Sequence, residues 1–176
     1  MAEPVRRLFF ALWPTAAVAR DLYEAAQSVH RACGGRAMRR DSLHVTLAFL
    51  GAVAASRVAA AEAAADAVAA SPFVLELDRL ACWKHNRIAW AGCSEVPPPL
   101  GSLAADLAQN LRSAGFSLDT RPFAVHATLV RNADCAAPLP VPTTPIRWPV
   151  DDFALIESHR GPAGARYEVV RRWGMH

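Results

Sequence analysis

The sequence predicts an α+β fold, with antiparallel sheets on the inside and helices on the outside, from three observations. Short apolar segments bounded by turn residues are mixed with longer segments rich in alanine and leucine, as in a chain that contains both strands and helices. Several predicted strands are joined by short turns, which makes these pairs antiparallel, and the order is not a regular alternation of strand and helix. The chain has 176 residues, 53% hydrophobic and 20% charged, which suffices for one domain or for two small lobes that share a core.

The first 70 residues are predicted to form three strands and two helices. Thr15 is a favourable N-cap for the first helix, and Gly34 with Gly35 ends it, because glycine tolerates the backbone conformation that follows a helix. Gly51 is expected to end the third strand, and Pro72 follows the second helix. In chain order, the expected elements are a strand over 6–12, a helix over 15–32, strands over 36–40 and 43–50, and a helix over 56–70.

The remaining residues are predicted to form six strands and one helix. Residues 73–83 alternate between apolar and polar side chains, and three residues separate them from the next strand, so the two strands form a hairpin. The prolines at 97–99 break the chain before the helix, and Gly115 is expected to cap its end. In chain order, the expected elements are strands over 73–83 and 87–92, a helix over 100–114, and strands over 123–130, 146–148, 153–158 and 166–173.

Composition, charge and cysteine spacing exclude several other classes of protein. The formal net charge of +3 predicts no partner by itself, and the arginine doublets at 6–7, 39–40 and 171–172 fall far short of a polybasic tail. The four cysteines form no C-x-x-C pair and none has zinc-ligand spacing to a histidine, so we expect reduced thiols. The apolar run over 8–13 is too short for a signal peptide or a membrane span. We therefore expect a cytoplasmic protein without a membrane partner.

A short internal repeat carries the candidate functional residues. SLHVTLAFLG at 42–51 and AVHATLVRNA at 124–133 share the pattern His-x-Thr-Leu. Both copies lie on predicted strands, where alternate residues share a face, so His44 lies beside Thr46 and His126 lies beside Thr128. An unpaired buried polar group costs about 1–3 kcal/mol, and core packing gives no reason to repeat the polar pair while the apolar neighbours vary. We therefore predict that these four side chains line an open site.

Two facing histidines suit the opening of a cyclic phosphodiester. An attacking water must lose a proton, the leaving ribose oxygen must gain one, and attack and departure are roughly in line, so base and acid belong on opposite sides of phosphorus. Histidine titrates near pH 6.5 and serves in either role, while threonine hydroxyls can stabilise the charge on the phosphate oxygens. This chemistry requires no metal or other cofactor, and the sequence contains no recognisable carboxylate cluster for a metal.

The paired motifs HVTL and HATL resemble those of the 2H phosphoesterase superfamily. Together with RRLFFALWP, RPFAVHATLVR and FALIES…YEVVRRW, they are similar over nearly the whole chain to the family of bacterial RNA 2′,3′-cyclic phosphodiesterases, also called 2′-5′ RNA ligases. The resemblance implies a single bilobal domain over 1–176, in which two pseudo-symmetric antiparallel sheets with outer helices surround a central cleft and each lobe carries one His-x-Thr strand. It also implies metal-independent hydrolysis of RNA 2′,3′-cyclic phosphate ends to 2′-phosphates, and reversible joining of tRNA halves through a 2′-5′ linkage.

The resemblance also assigns roles by motif position. His44 corresponds to the proton donor and His126 to the proton acceptor, while Thr46 and Thr128 correspond to phosphate-contacting positions. Arg131 matches a position that is often basic and is a further candidate for phosphate binding, although strict strand alternation places it on the opposite face from His126. The chain departs from the family at position 125, where valine stands in place of the common proline.

Three alternatives to RNA-end hydrolysis are open. The same chemistry can act on a small cyclic nucleotide or a cyclic ADP-ribose phosphate, the joining reaction can be the physiological direction, or the chain can be a non-catalytic RNA-end binder. The presence of both histidines argues against the last, because a binder needs only phosphate donors. We expect a monomer without an obligate protein partner.

Five further residues have both a nucleic-acid and a structural interpretation. Trp83 and Trp90 can stack on a base or pack within the protein, and Arg36, Arg39 and Arg40 can bind the RNA backbone or lie on the solvated surface. Phe49 and Phe123 are expected in the core.

Overall fold

The computed structural model describes residues 1–176 and contains three α-helices, ten strands and two short 3-10 turns at Arg40–Ser42 and Ala55–Arg57. None of the helices is both long enough and apolar enough to cross a membrane. The helices are α1 (Ala16–Cys33), α2 (Val58–Asp66) and α3 (Pro98–Ser113). The strands are β1 (Val5–Leu12), β2 (Arg36–Ala37), β3 (Val45–Ala54), β4 (Phe73–Leu77), β5 (Arg79–Trp83), β6 (Ile88–Gly92), β7 (Ala127–Arg131), β8 (Ile146–Val150), β9 (Asp152–Gly161) and β10 (Gly164–Gly174).

The predicted α+β fold with two antiparallel sheets is confirmed. The main sheet has eight strands in the order β10-β9-β1-β3-β7-β6-β5, with β2 paired to β7, and β4 and β8 form a separate two-stranded sheet. The two sheets are therefore unequal in size. The strands that follow the two His-x-Thr histidines, β3 and β7, are neighbours at the centre of the main sheet.

The two halves of the main sheet meet at one residue pair. Val45 of β3 lies opposite Ala127 of β7, and this is the only ladder position that the two strands share. From there β3 continues along β1, whereas β7 continues along β6. The halves are thus related by an approximate twofold axis that passes between Val45 and Ala127.

Helices cover one face of the main sheet. A core of 37 buried residues includes the inward side chains of α1 and α3, such as Leu22 and Leu107, which are fully buried. The opposite face carries a cluster of only four buried apolar residues, Phe9, Ala11, Ala154 and Ile156. Because no helix covers this second face, its polar side chains can meet a ligand.

Thr15 and Gly34 act at the ends of α1 as predicted. The Thr15 hydroxyl accepts a hydrogen bond from the Val18 N–H, and the Gly34 N–H donates to the carbonyl of His30. The third helix begins at Pro98, whose missing N–H costs nothing in a first turn, and Gly115 follows its last turn with φ of 87°. Local capping chemistry is therefore sufficient to place both long helices.

Several predicted strand boundaries were wrong. Residues 73–83 are two strands that belong to different sheets, with Asp78 between them accepting a hydrogen bond from the Ser94 N–H. The strand expected to end at Gly51 continues to Ala54. Gly51 adopts φ of 72° at an irregularity in the β1–β3 pairing, and the pairing resumes beyond it. The strand expected over 123–130 begins only at Ala127, and residues 123–126 have no regular structure. The strand expected over 36–40 and the helix expected over 56–70 are both shorter than predicted.

The expectation of four reduced thiols was wrong for two of them. Cys82 on β5 and Cys135 in the loop after β7 form a disulfide with a Cα–Cα distance of 5.5 Å, whereas Cys33 and Cys93 are free. The partners are 53 residues apart in sequence, so spacing alone could not reveal the pairing. The bond ties the loop after β7 to the β5–β6 hairpin.

The turn between α1 and β2 makes a close backbone contact that we expect to be sensitive to substitution. Gly35 has φ of +78°, and a Cβ placed there would lie 2.5 Å from the carbonyl oxygen of Arg131. Gly35→Ala is therefore expected to lower the free energy of unfolding by about 3 kcal/mol, from backbone strain and crowding together. Gly101→Ala is the matched control, since nothing lies within 4 Å of that position in α3 and alanine favours helix, so it should stabilise by about 0.5–1 kcal/mol. Urea denaturation measures both, and equal midpoints for wild type and Gly35→Ala would contradict the argument.

Candidate active site

The four residues of the repeated motif lie on the uncovered face of the main sheet. His44 and His126 are each the residue immediately before a strand, and the residues that follow them, Val45 and Ala127, are buried on the helix-covered side. Because Val45 and Ala127 face each other in antiparallel register, His44 lies across from the threonine of the second copy and His126 across from the threonine of the first. The structure thus brings both predicted pairs together around the twofold axis.

Each histidine ring is held by the same local hydrogen bond. Nδ1 of His44 lies 2.8 Å from the carbonyl oxygen of Ser42, and Nδ1 of His126 lies 2.8 Å from the carbonyl oxygen of Ala124. A carbonyl oxygen only accepts, so Nδ1 carries the hydrogen in both rings and Nε2 is left with the reactive lone pair. In the first copy, Nε2 lies 3.1 Å from the Thr46 hydroxyl, which can donate to it.

Aromatic side chains that the sequence did not single out surround His44. The indole of Trp13 stacks on the imidazole, with ring centroids 5.4 Å apart and planes inclined by 16°. Phe9 and Tyr167 approach the same ring at 4.9 and 5.4 Å. They come from the first strand, from the residue directly after it and from the last strand, and they meet only in the folded sheet.

Trp83 and Trp90 occupy the corresponding place beside His126. Their ring centroids lie 4.6 and 6.4 Å from that of the imidazole, both in edge-on orientations. The arrangement depends on Gly92, where an added Cβ would collide with the Trp90 ring. Of the two interpretations of these tryptophans, the contacts favour packing against the histidine.

Burial changes the titration of both histidines. Removal from water lowers the pKa of His44 to about 4, although the hydrogen bond to Ser42 acts in the opposite direction, and the positive charges of His126 and Arg131 lower it further. Burial also lowers the pKa of His126, against the effect of its hydrogen bond to Ala124. Both rings are therefore neutral at pH 7 in the absence of a ligand, and a bound anion favours their protonation.

Matching β-bulges place one further residue of each copy on the uncovered face. Between β3 and β1 the register skips Leu47, and between β7 and β6 it skips Leu129. Each extra residue reverses the alternation that follows, so Phe49 and Arg131 point to the same side as the histidines. Strict alternation therefore fails at Arg131, and its charge is close enough to lower the pKa of His44.

Other arginines near the motifs are engaged within the chain. Arg39 donates to the Asp41 carboxylate and to the carbonyl of Ala165, Arg40 donates to the carbonyl of Ala16, and Arg121 pairs with Asp119. Arg36 lies opposite Arg131 in the β2–β7 ladder. For Arg39 and Arg40, the structural interpretation is thus favoured. No three His, Cys, Asp or Glu side chains converge as a metal-binding group.

Comparison with known proteins relates the chain to phosphoesterases. A family model described as LigT like Phosphoesterase matches residues 12–90 and 92–167, and each matched segment contains one His-x-Thr motif. The chain is 33% identical over 175 residues to the RNA 2′,3′-cyclic phosphodiesterase of Escherichia coli K12, which covers 99% of both chains. It is 37% identical over 128 residues to an RNA 2′,3′-cyclic phosphodiesterase of Geobacillus stearothermophilus, covering 65% of this chain and 40% of that protein.

Solved structures show the same fold. The crystal structure of E. coli LigT complexed with 3′-AMP superposes with a TM-score of 0.89 at 32% identity, covering 98% of this chain and 99% of LigT. A Thermus thermophilus protein, TT0787, superposes with a TM-score of 0.79 at 25% identity, covering 96% of this chain and 97% of that one. The likeness therefore extends over both halves of the main sheet.

The lowered pKa of His44 predicts a loss of stability in acid. The unfolded chain protonates this ring near pH 6.5, but the folded protein does so only near pH 4, so the unfolded state gains protons first as pH falls through this window. Between pH 7 and pH 5 this should cost on the order of 2 kcal/mol. Urea denaturation of His44→Gln should show a smaller loss over that interval, whereas His85→Gln, an exposed turn residue, should behave as wild type. An imidazole titration by NMR with a midpoint near 6.5 for His44 would contradict the prediction.

Proposed function

The chain belongs to the LigT-like phosphoesterase family, and from this premise we propose that it hydrolyses the 2′,3′-cyclic phosphate end of an RNA to a 2′-phosphomonoester by paired histidine catalysis. The observation that carries the proposal is the arrangement of the two His-x-Thr pairs around one twofold axis on an uncovered sheet face. The names of the two relatives support the substrate, since both are RNA 2′,3′-cyclic phosphodiesterases.

In the proposed reaction, Nε2 of His126 accepts a proton from the attacking water, whose oxygen forms a bond to phosphorus. The bond from phosphorus to the 3′-oxygen breaks, and His44 donates a proton to that oxygen, which leaves the phosphate on the 2′-oxygen. These roles rest on the family resemblance. His44 is neutral at pH 7 in the free protein, so the donor role requires that bound phosphate raises its pKa and favours its protonation.

Thr46, Thr128 and Arg131 are proposed to hold the phosphate. Each threonine lies opposite the histidine of the other copy in the strand register, and the Thr46 hydroxyl also lies 3.1 Å from Nε2 of His44. Arg131 adds a permanent positive charge on the His44 side, where it can stabilise the charge that develops on the non-bridging oxygens. We propose that the reaction needs no metal, because these side chains supply the charge stabilisation and the two histidines supply the proton transfers.

The same site also suits the joining reaction. The 5′-hydroxyl of a second RNA, in place of water, attacks the cyclic phosphate in the same way, and its proton passes to His126. The bond to the 3′-oxygen breaks as before, so the phosphate stays on the 2′-oxygen and the product is a 2′-5′ linkage. We propose that such ligation, with tRNA halves as substrates, is a secondary activity of this single two-lobed domain. A cytoplasmic location and a monomer without an obligate partner stay predictions from the sequence.

Replacing either histidine is expected to lower kcat by about 10²–10⁴-fold, because each proton transfer contributes a factor of that size. The assay uses an RNA oligonucleotide with a 2′,3′-cyclic end in excess EDTA, with His44→Ala, His126→Ala and the exposed His85→Ala as control. Full activity in either single variant would refute the two-histidine assignment. Loss of wild-type activity in EDTA would refute the metal-free reaction, and a 3′-phosphate product would refute the direction of opening.

Replacing Arg131 tests its proposed contact with phosphate. Arg131→Gln should lower kcat/KM by about 10–100-fold, since a hydrogen bond to a charged group contributes about 1.5–3 kcal/mol. It should also raise the pKa of His44, because one of the positive charges that lowers it is removed. Arg20→Gln, which removes an exposed arginine of α1, is the control and should change neither quantity. An unchanged kcat/KM together with an unchanged pKa would exclude Arg131 from the site.

A further inference from the structure

Trp13 lies directly behind the imidazole of His44. The pairing of Leu12 with Val45 continues by one position, which places Trp13, the residue after β1, opposite His44. On its other side His44 faces Thr128 of β7. Since Thr128 belongs to the proposed phosphate site, the indole and the phosphate lie on opposite sides of the imidazole.

The second histidine has no such neighbour. Gly92 occupies the position opposite His126, and an added Cβ there would lie 2.4 Å from the ring of Trp90. That ring meets the imidazole of His126 at an angle of 72°, with the centroids 6.4 Å apart, whereas the planes of Trp13 and His44 are inclined by only 16°. Of the two histidines, only His44 is thus covered by a parallel aromatic surface.

A parallel surface restrains a motion that the hydrogen bonds of His44 leave open. Nδ1 is held at the carbonyl of Ser42 and Nε2 at the hydroxyl of Thr46. Two fixed atoms still allow the ring to tilt about the line that joins them, and the last torsion of a histidine side chain is broad. The stacked indole blocks this tilt, whereas Phe9 and Tyr167 contact the same ring at larger angles of 35° and 74°. The direction of Nε2 therefore depends on the indole.

The indole also separates His44 from two cavities. Trp13 lines both of them, with volumes of about 260 and 320 Å³, and His44 lines neither. Charged side chains line each cavity, Arg172 the first and Arg40 the second, so both are polar and roomy enough for water. Without the indole, this water would reach the imidazole, whose burial lowers its pKa to about 4.

We propose that Trp13 is a positioning residue for His44, an inference that rests on the proposed function. Its indole keeps Nε2 of His44 directed at the leaving 3′-oxygen and closes the back of the ring to water. It acts through the histidine, since the face of the indole nearest the site is already occupied by the imidazole. Its loss therefore slows the proton transfer without weakening the binding of substrate.

The test compares Trp13→Ala with Trp13→Phe on an RNA oligonucleotide with a 2′,3′-cyclic end. Trp13→Ala should lower kcat by about 10–100-fold, because a displacement of about 1 Å at a reacting group can cost about 100-fold, and should leave KM close to that of wild type. Trp13→Phe keeps a flat ring and should retain most of the activity. Tyr23→Ala truncates an exposed aromatic residue of α1 in the same way and, as the control, should change neither constant.

An imidazole titration by NMR supplies a second readout that a loss of stability alone would not move. In Trp13→Ala the midpoint of His44 should rise from near pH 4 towards the ordinary value of about 6.5, because water reaches the ring. His126 and Arg131, the charged groups that act on this ring, are unchanged in the variant. If Trp13→Ala does not fold, Trp13→Leu replaces it in both measurements, since leucine keeps apolar bulk but offers no flat ring.

A wild-type kcat or an unshifted titration in Trp13→Ala would overturn the proposal. An equal loss of kcat in Trp13→Phe would also overturn it, as would a loss that appears in KM alone, which would make Trp13 a contact of the nucleotide. A wild-type protein without activity on the cyclic end would refute the proposed function, while the titration would still decide whether Trp13 shields His44.

Discussion

The single pairing of Val45 with Ala127 is the constraint on which the site depends. Each of these small apolar residues follows a histidine and precedes a threonine, so their contact places all four polar side chains around one axis. A longer ladder between β3 and β7 would bring the two strands fully side by side. With one shared position the strands can diverge to different partners, β1 and β6.

The two histidines share a backbone hydrogen bond but differ in what surrounds them. Trp13, Phe9 and Tyr167 enclose His44, whereas two tryptophans of a single hairpin approach His126. The nearby positive charge of Arg131 acts on the first ring only. A symmetric motif thereby places its two histidines in unequal surroundings.

The sequence was sufficient for the parts of the molecule that depend on local chemistry. The caps of α1, the hairpin of β5 and β6, and the face shared by His44 and Thr46 follow from residue type and strand alternation. The outward direction of Phe49 did not, because a bulge inserts one unpaired residue without a sequence signal such as glycine. The disulfide of Cys82 and the contact of Tyr167 with His44 join distant parts of the chain, so only the folded arrangement of strands reveals them.

The small sheet of β4 and β8 has a consequence for chain topology. Strands β5, β6 and β7 all lie between β4 and β8 in sequence, whereas β1, β3, β9 and β10 lie outside that interval. Apart from β2, which pairs with β7, the strands of the half that carries His126 are therefore an insertion within the half that carries His44, and the chain enters and leaves this insertion through the β4–β8 pair. Both chain ends consequently belong to one half. The inserted half is held at three places, by the β4–β8 pair, by the Val45–Ala127 pair and by the pairing of β2 with β7, rather than by a single linker.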